Sequence, residues 1–307
     1  MKSGFVAILG RPNVGKSTLL NALVGSKIAI VTAKPQTTRD AIQGIVTRPE
    51  GQIVMVDSPG VHEPSQELGR RMMREVRRAT SGCHLVLLLA DAESGIRPDD
   101  RAALEIVKSV ETPALLVLNK IDLLRPKGAL LPLIEQWRQL HEFQEVVPIS
   151  AQKGKNLDLL LKLVFDHLPD GQPFYPEDFI TDQPERFLAA ELIREQVILT
   201  TGQEVPYSTA VMIEKWEETP RLLHIGATIL VERDGQKRIV IGAKGQKLKQ
   251  IGTAARVQLE EQFGRKIYLE LFVKVRAKWR NKSTFVKELD FRRQLGDDSG
   301  DEGPSVV

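Results

Sequence analysis

Gly10-Arg11-Pro12-Asn13-Val14-Gly15-Lys16-Ser17 decides the fold. The run before it, Phe5-Val6-Ala7-Ile8-Leu9, is short, apolar and partly β-branched, and predicts a buried strand. Thr18 to Val24 predicts the opening turns of a helix. Strand, glycine loop and helix in that order are what a phosphate-binding loop requires. Glycine lets the chain turn tightly enough for backbone N–H groups to face phosphate oxygens, and the helix start adds the positive end of its dipole. In that arrangement Gly10, Arg11, Pro12, Asn13, Val14, Gly15 and Thr18 surround the phosphates. Lys16 reaches the β- and γ-phosphates, and the Ser17 hydroxyl ligates Mg²⁺.

The segments that follow supply the rest of a ligand site. Thr32-Ala33-Lys34-Pro35-Gln36-Thr37-Thr38-Arg39-Asp40 is polar and contains a proline, so it reads as a surface loop ahead of a strand at about Ala41 to Thr47. A threonine there suits Mg²⁺ and a γ-phosphate. Gln52 to Val56 is a strand ending in Asp57-Ser58-Pro59-Gly60. An acid at a strand tip beside a phosphate loop holds Mg²⁺ through water, and the Gly60 N–H is placed for a γ-phosphate. Gln66 to Ser81 repeats Leu68, Met72, Met73, Val76 and Ala79 at helical spacing with arginines between, which predicts a surface helix. Leu85 to Leu89 and Ala114 to Leu118 are uninterrupted apolar runs, expected of strands buried on both faces, with a helix at Asp99 to Val110.

Asn119-Lys120-Ile121-Asp122 selects the base. A carboxylate at Asp122 accepts hydrogen bonds from guanine N1–H and its exocyclic amine, whereas adenine presents the opposite pattern. Unpaired polar groups in a closed pocket discriminate strongly. Lys120 would lie along the base and Asn119 would tie loops together. After a strand at Val146 to Ile149 come Ser150 and Ala151, whose N–H is placed for guanine O6; Leu157 to Leu168 then closes the domain as a helix. Alternating strands and helices with ligand loops at the strand ends predict a doubly wound α/β domain with a mostly parallel sheet. The order and spacing of the five loops match P-loop GTPases, with GTP/GDP and Mg²⁺ as ligands.

The 307 residues favour about two domains. A single cysteine, Cys83, excludes an intramolecular disulfide and suits a reducing cytosol. The N-terminus runs straight into the first strand, leaving no room for a signal peptide, and Leu85 to Ala90 is too short to span a bilayer. A cytoplasmic monomer is expected. The net charge of +3 conceals an asymmetry: Ile229 to Leu295 holds 17 Lys plus Arg against 7 Asp plus Glu. A basic region on an acidic body points to a polyanionic partner.

Pro169 to Pro176 is rich in turn formers and marks a boundary, so we divide the chain into residues 1–170, a linker 171–184, a second domain 185–295 and an acidic tail 296–307, expected to be disordered. In the second domain Glu185 to Leu199 predicts a helix, and Tyr207 to Trp216 and Ile225 to Val231 predict strands. Asp234-Gly235 predicts a hairpin turn into a further strand at Arg238 to Ile241. Gln246 to Phe263 predicts a helix and Ile267 to Val275 a last strand. Val240-Ile241-Gly242-Ala243-Lys244-Gly245-Gln246-Lys247-Leu248-Lys249-Gln250-Ile251-Gly252 resembles the signature of a type II KH domain, an α+β fold. Gly242 and Gly245 would let backbone approach the phosphates of a single strand. Ala243 lies between them, and Lys244, Lys247 and Lys249 supply charge. Ile241, Leu248 and Ile251 would line a groove for unstacked bases. Trp279, within Arg276 to Lys282, either stacks on a base or caps the core.

The phosphate loop, Gln36-Thr37-Thr38-Arg39 and the KH-like segment together resemble the bacterial Era family, over Gly4 to about Leu295. One departure is Ser58, where the family usually has threonine. The resemblance implies a GTP-hydrolysing switch that binds small-subunit ribosomal RNA near its 3′ end and acts in small ribosomal subunit assembly, with peripheral contact at the inner face of the membrane. It implies Thr38 as the loop ligand of Mg²⁺, with Thr37 as the alternative. Val61 occupies the position of the water-orienting glutamine of Ras-like enzymes and cannot do that work, so slow hydrolysis is expected. Related GTPases with asparagine at the Asn13 position use K⁺ in place of an arginine finger. Asn13 is therefore the expected K⁺ ligand, unless it only bonds backbone. The competing reading is a GTP-regulated interaction protein whose C-terminal domain binds a protein or an anionic membrane.

Overall fold

In the computed structural model, which describes residues 1–202 and 205–289, the uninterrupted apolar runs form the middle of a six-stranded sheet. β1 (Lys2–Leu9), β2 (Ile42–Arg48), β3 (Gly51–Asp57), β4 (Leu85–Asp91), β5 (Ala114–Asn119) and β6 (Glu145–Pro148) lie in the order β2-β3-β1-β4-β5-β6. Neighbours are parallel except β2 on β3, an antiparallel hairpin that leaves β2 at the edge. Every residue of β4 and β5 is buried because helices cover both faces. α1 (Lys16–Val24) packs on one face and α2 (Glu67–Thr80), α3 (Pro98–Lys108) and α4 (Leu130–Arg138) on the other, before α5 (Leu157–His167) returns to the first. The chain leaves β1 toward β3 and later joins β4 on the other side. The carboxyl ends of β1 and β4 therefore part at the sheet centre, where residues 10–15 open into the crevice.

The chain after α5 does not hang free. Gln52 accepts the Phe174 and Tyr175 N–H groups at 2.8 and 2.9 Å, and the Ile45 N–H of the edge strand donates to the Ile180 carbonyl at 2.9 Å. The expected linker is thus a strap that covers the exposed edge of β2.

The second half comprises α6 (Glu185–Thr200), α7 (Val205–Ser208), β7 (Ala210–Glu218), β8 (Leu223–Val231), α8 (Asp234–Ile241), α9 (Gln246–Phe263), β9 (Ile267–Val275) and α10 (Ser283–Glu288). Its sheet has the order β7-β8-β9, with β7 antiparallel and β9 parallel to β8. Ile193 and Val197 of α6 join Ile251, Ala255 and Leu259 of α9 against Ile225, Ala227 and Ile229.

Three expectations are corrected, and the open choice at Trp279 is decided. The hairpin turn at Asp234-Gly235 and the strand at Arg238 to Ile241 do not form; this stretch is α8. Gln236 Oε1 accepts the Glu232 and Arg233 N–H groups at 2.9 and 3.1 Å, which caps a helix start. The parallel β8–β9 pair also needs a crossover, which α8 and α9 supply. The strand expected from Tyr207 begins at Ala210, because Pro206 sits in the short α7, where its missing N–H costs nothing. α2 is not a plain surface helix: Leu68 and Met72 are buried with Ala210, Leu230, Trp279, Phe285 and Val286 of the second half. Trp279 is wholly buried and its Nε1–H donates to the Ser208 carbonyl at 2.9 Å, so it is a core residue and no base platform. The acidic tail 296–307 lies outside the described residues.

Candidate functional site

The phosphate loop is shaped by close approach. Gly15 has φ +99°, and a Cβ there would stand 2.4 Å from Asn119 Nδ2, so only glycine fits. Asn13 also adopts positive φ, 64°, a strained value for a residue with a side chain. Lys16 folds back over the loop and donates to the Gly10 and Arg11 carbonyls, each at 3.0 Å. Burial lowers its ammonium to about 8, with Asp57 pulling the other way. Burial raises Asp57 to about 6 against the pull of Lys16. Both charges are short of counter-charge, which suits a site for anionic phosphates and a divalent cation.

Three oxygens converge at the end of β3. The Ser17 hydroxyl donates to Asp57 Oδ2 at 2.6 Å and stands 2.8 Å from the Thr38 hydroxyl. Asp57 Oδ1 is buried with no hydrogen-bond partner. A hard cation with its waters fits this donor set. The Thr37 hydroxyl is turned away, donating to the Lys34 carbonyl at 2.7 Å, so the geometry favours Thr38. Pro12, Asn13, Thr18 and Gly60 line the same crevice. Asn13 Nδ2 reaches across it to the Ala33 carbonyl at 3.0 Å. Val61 is buried and apolar, its N–H bonded to the Gly10 carbonyl at 3.1 Å.

Some expected binding residues turn out to be scaffold. The Ser58 hydroxyl is buried and donates to the Ile8 carbonyl at 2.8 Å, so it faces β1 and not the crevice. The Arg11 side chain is committed to Asp100 at 3.1 Å and to Ser94, leaving only its backbone in the loop. Val14 is core, and its carbonyl accepts Asn119 Nδ2 at 2.8 Å. Asn119 Oδ1 takes the Ala151 N–H at 2.9 Å, so Asn119 ties both loops together and the N–H expected to face guanine O6 is already engaged. At the base end, Ser150 donates to Asp122 Oδ1 at 2.5 Å, and Lys120 is held by Asp91 at 2.7 Å.

Sequence reasoning missed how the loop of Thr38 is held. The Arg39 guanidinium donates to the carbonyls of Thr209, Pro206 and Tyr207 at 2.6, 3.2 and 3.2 Å. Arg194 donates to the Thr37 carbonyl, and Glu195 Oε1 accepts the Val31 N–H at 3.0 Å. Arg71 of α2 bonds Asp40 and, at 3.1 Å, the Val286 carbonyl. The one sequence signal was the cluster of charges Glu191, Arg194 and Glu195 among the apolar residues of this helix.

The second candidate surface is the Gly242 to Gly245 loop between α8 and α9. Gly242 has φ +72°, and a Cβ there would meet Lys247 Cβ at 2.6 Å. Lys244 also has positive φ, 49°. Ala243, Lys244 and Lys249 are exposed, and Ile241, Leu248 and Lys247 half-buried. Ile251 is fully buried in the core and is no part of a groove, a correction imposed by its place under the sheet.

Comparison with known proteins agrees with both halves. Residues 5–120 match the family model of a 50S ribosome-binding GTPase, and residues 204–280 that of a KH domain. The chain is 47% identical to GTPase Era of Syntrophus aciditrophicus (strain SB) over 292 residues, 94% of this chain and 95% of that one. It superposes with TM-score 0.92, at 44% identity and covering 94% of this chain and 99% of the other, on a crystal structure of Era in complex with MgGDPNP and nucleotides 1506-1542 of 16S ribosomal RNA. The same TM-score, identity and coverage hold for a point variant of Aquifex aeolicus Era bound to GDP and tetrafluoroaluminate. With near full-length identity of this order and one architecture throughout, the chain belongs to the Era family of GTPases.

Proposed function

We propose that this chain couples GTP hydrolysis in residues 1–170 to recognition of single-stranded RNA near the 3′ end of small-subunit ribosomal RNA by residues 185–295, in small ribosomal subunit assembly. Residues 171–184 link the two. The observation that carries the RNA reading is the Gly242 to Gly245 loop: backbone presented at positive φ, flanked by exposed Lys244 and Lys249, in a fold whose solved relative holds a 16S ribosomal RNA fragment.

In this reading Lys16 exchanges its two carbonyl partners for β- and γ-phosphate oxygens. Ser17, Thr38 and Asp57 hold Mg²⁺, which when bound neutralises charge on those oxygens. Asp122 accepts from the guanine edge while Asn119 keeps the two loops in register. Gly60 offers its N–H to the γ-phosphate. Val61 leaves the attacking water without an oriented acceptor, so turnover is slow. Asn13, whose Nδ2 is engaged by Ala33, has Oδ1 for a K⁺ ion.

Among the described residues no helix is long and apolar enough to cross a membrane. The test is crosslinking in cells followed by sequencing of the bound RNA, with the Gly242→Asp/Gly245→Asp variant beside wild type. A sharp peak in small-subunit ribosomal RNA, lost in the variant, is expected. Diffuse crosslinks in both, together with binding to acidic liposomes, would move the C-terminal domain to a membrane-surface role.

A further inference from the structure

Two consecutive residues of α6 grip the loop of Thr38 at its two ends. Arg194 and Glu195 are each 2% exposed. Buried charges of this kind cost several kcal/mol unless their partners are fixed. Glu191, one turn earlier, holds the Arg194 guanidinium through two bonds, 2.7 Å to Nε and 2.6 Å to Nη2. Arg194 Nη2 then donates to the Thr37 carbonyl. Glu195 accepts the Val31 N–H through Oε1 and bonds Lys27 Nζ at 2.5 Å through Oε2. Phe187 and Leu188, at the start of the same helix, are buried in the core of the first domain, while Leu192, Ile193 and Val197 pack in that of the second, so α6 is anchored in both.

Thr38 is the next residue after the one Arg194 holds, and its hydroxyl meets Ser17 at 2.8 Å. We propose that Arg194 and Glu195 are positioning residues for GTP hydrolysis, through which the second domain holds residues 31–37 so that Thr38 stays beside Ser17 and Asp57. This rests on the reading of Thr38 as a Mg²⁺ ligand given above. Neither side chain touches the nucleotide crevice itself: both act through backbone groups of the loop, Arg194 on a carbonyl and Glu195 on an N–H. GDP lacks the γ-phosphate that Thr38 serves, so the grip bears on GTP turnover and not on GDP binding.

The experiment uses the full chain and measures kcat and KM for GTP in saturating Mg²⁺, with the affinity for a fluorescent GDP analogue alongside. Arg194→Ala and Glu195→Ala are expected to lower kcat roughly tenfold to a hundredfold, the loss of one charge-assisted hydrogen bond, while GDP affinity stays within about twofold. Glu195→Gln keeps an oxygen for the Val31 N–H and should retain more turnover than Glu195→Ala. Arg194→Lys keeps the charge beside Glu191 but lacks the fork that spans Glu191 and Thr37, and should fall with the alanine variant. Thr38→Ala separates the two readings. If it loses turnover while Arg194→Ala and Glu195→Ala keep wild-type kcat, the positioning role is refuted and the reading of Thr38 stands. If Thr38→Ala keeps turnover, that reading fails and takes the proposal with it. Should the alanine variants fail to bind GDP, Arg194→Lys decides: reduced kcat with intact GDP binding supports the role, and wild-type kcat overturns it.

Discussion

Exchanging Asp122 for Asn replaces an acceptor-only group by one that also donates, at the base end of the crevice. In the structure Ser150 uses one acceptor position of the carboxylate, at 2.5 Å, and an ionised carboxylate offers about four. The remaining positions suit the two donors on the guanine edge. An asparagine keeps its oxygen for Ser150, so the loop and the fold survive, but its NH₂ then faces guanine N–H groups. Losing one hydrogen bond to a charged acceptor and setting donor against donor costs about 2–4 kcal/mol. GTP should therefore bind roughly thirtyfold to a thousandfold more weakly. Xanthine carries a carbonyl where guanine carries the amine, so xanthosine triphosphate should gain what GTP loses. The assay is displacement of a fluorescent nucleotide by GTP and by xanthosine triphosphate, with the thermal midpoint as a control for folding. GTP affinity within about threefold of wild type, with no gain for xanthosine triphosphate, would refute the assignment of the base pocket.

Trp279→Ala should cost about 3–5 kcal/mol in urea unfolding, because a wholly buried ring is lost and the Ser208 carbonyl loses its donor; unchanged stability with weaker RNA binding would return Trp279 to a stacking role. Gly242→Ala places a Cβ 2.6 Å from Lys247 Cβ at a φ that disfavours any side chain, and should weaken single-stranded RNA binding in a filter assay while leaving GTP turnover at the wild-type rate. A parallel loss of turnover would mean that the loop serves folding and not RNA. GTP hydrolysis should be faster in K⁺ than in Na⁺, with the difference abolished in Asn13→Ala; equal rates in the two salts remove K⁺ from the mechanism.

Most of the fold was legible because its cues are local. The β4 and β5 runs read as buried strands since parallel strands covered on both faces need unbroken apolar sequence. α9 and β9 appeared with their observed bounds, because glycines flank the helix and the strand is rich in β-branched and aromatic residues. Arg238 to Ile241 misled: four residues with two β-branched isoleucines and a valine suit a strand by propensity, and the capping by Gln236 together with the β8–β9 crossover overrode it. The sequence reads Ile251 as groove and leaves Trp279 open between base and core, since both sites ask for the same apolar side chain; burial of both decides for the core.

The motifs Gly10 to Ser17, Asp57 at its strand end, and Asn119 to Asp122 were legible in the sequence alone. Each motif needs particular residues within a few positions of one another at the end of a strand, and a parallel sheet delivers strand ends to one edge. The tertiary structure decided what lies between the halves. It turned the Thr38 hydroxyl toward Ser17 and the Thr37 hydroxyl toward the Lys34 carbonyl, sent the Ser58 and Arg11 side chains to the scaffold, and seated α2 against Trp279. It also brought Arg39 to carbonyls 167 to 170 residues away and Arg194 to a carbonyl 157 residues away. Such pairs follow no period and need no motif, because a guanidinium can satisfy any backbone carbonyl that docking presents to it. Only the docked chain determines which one.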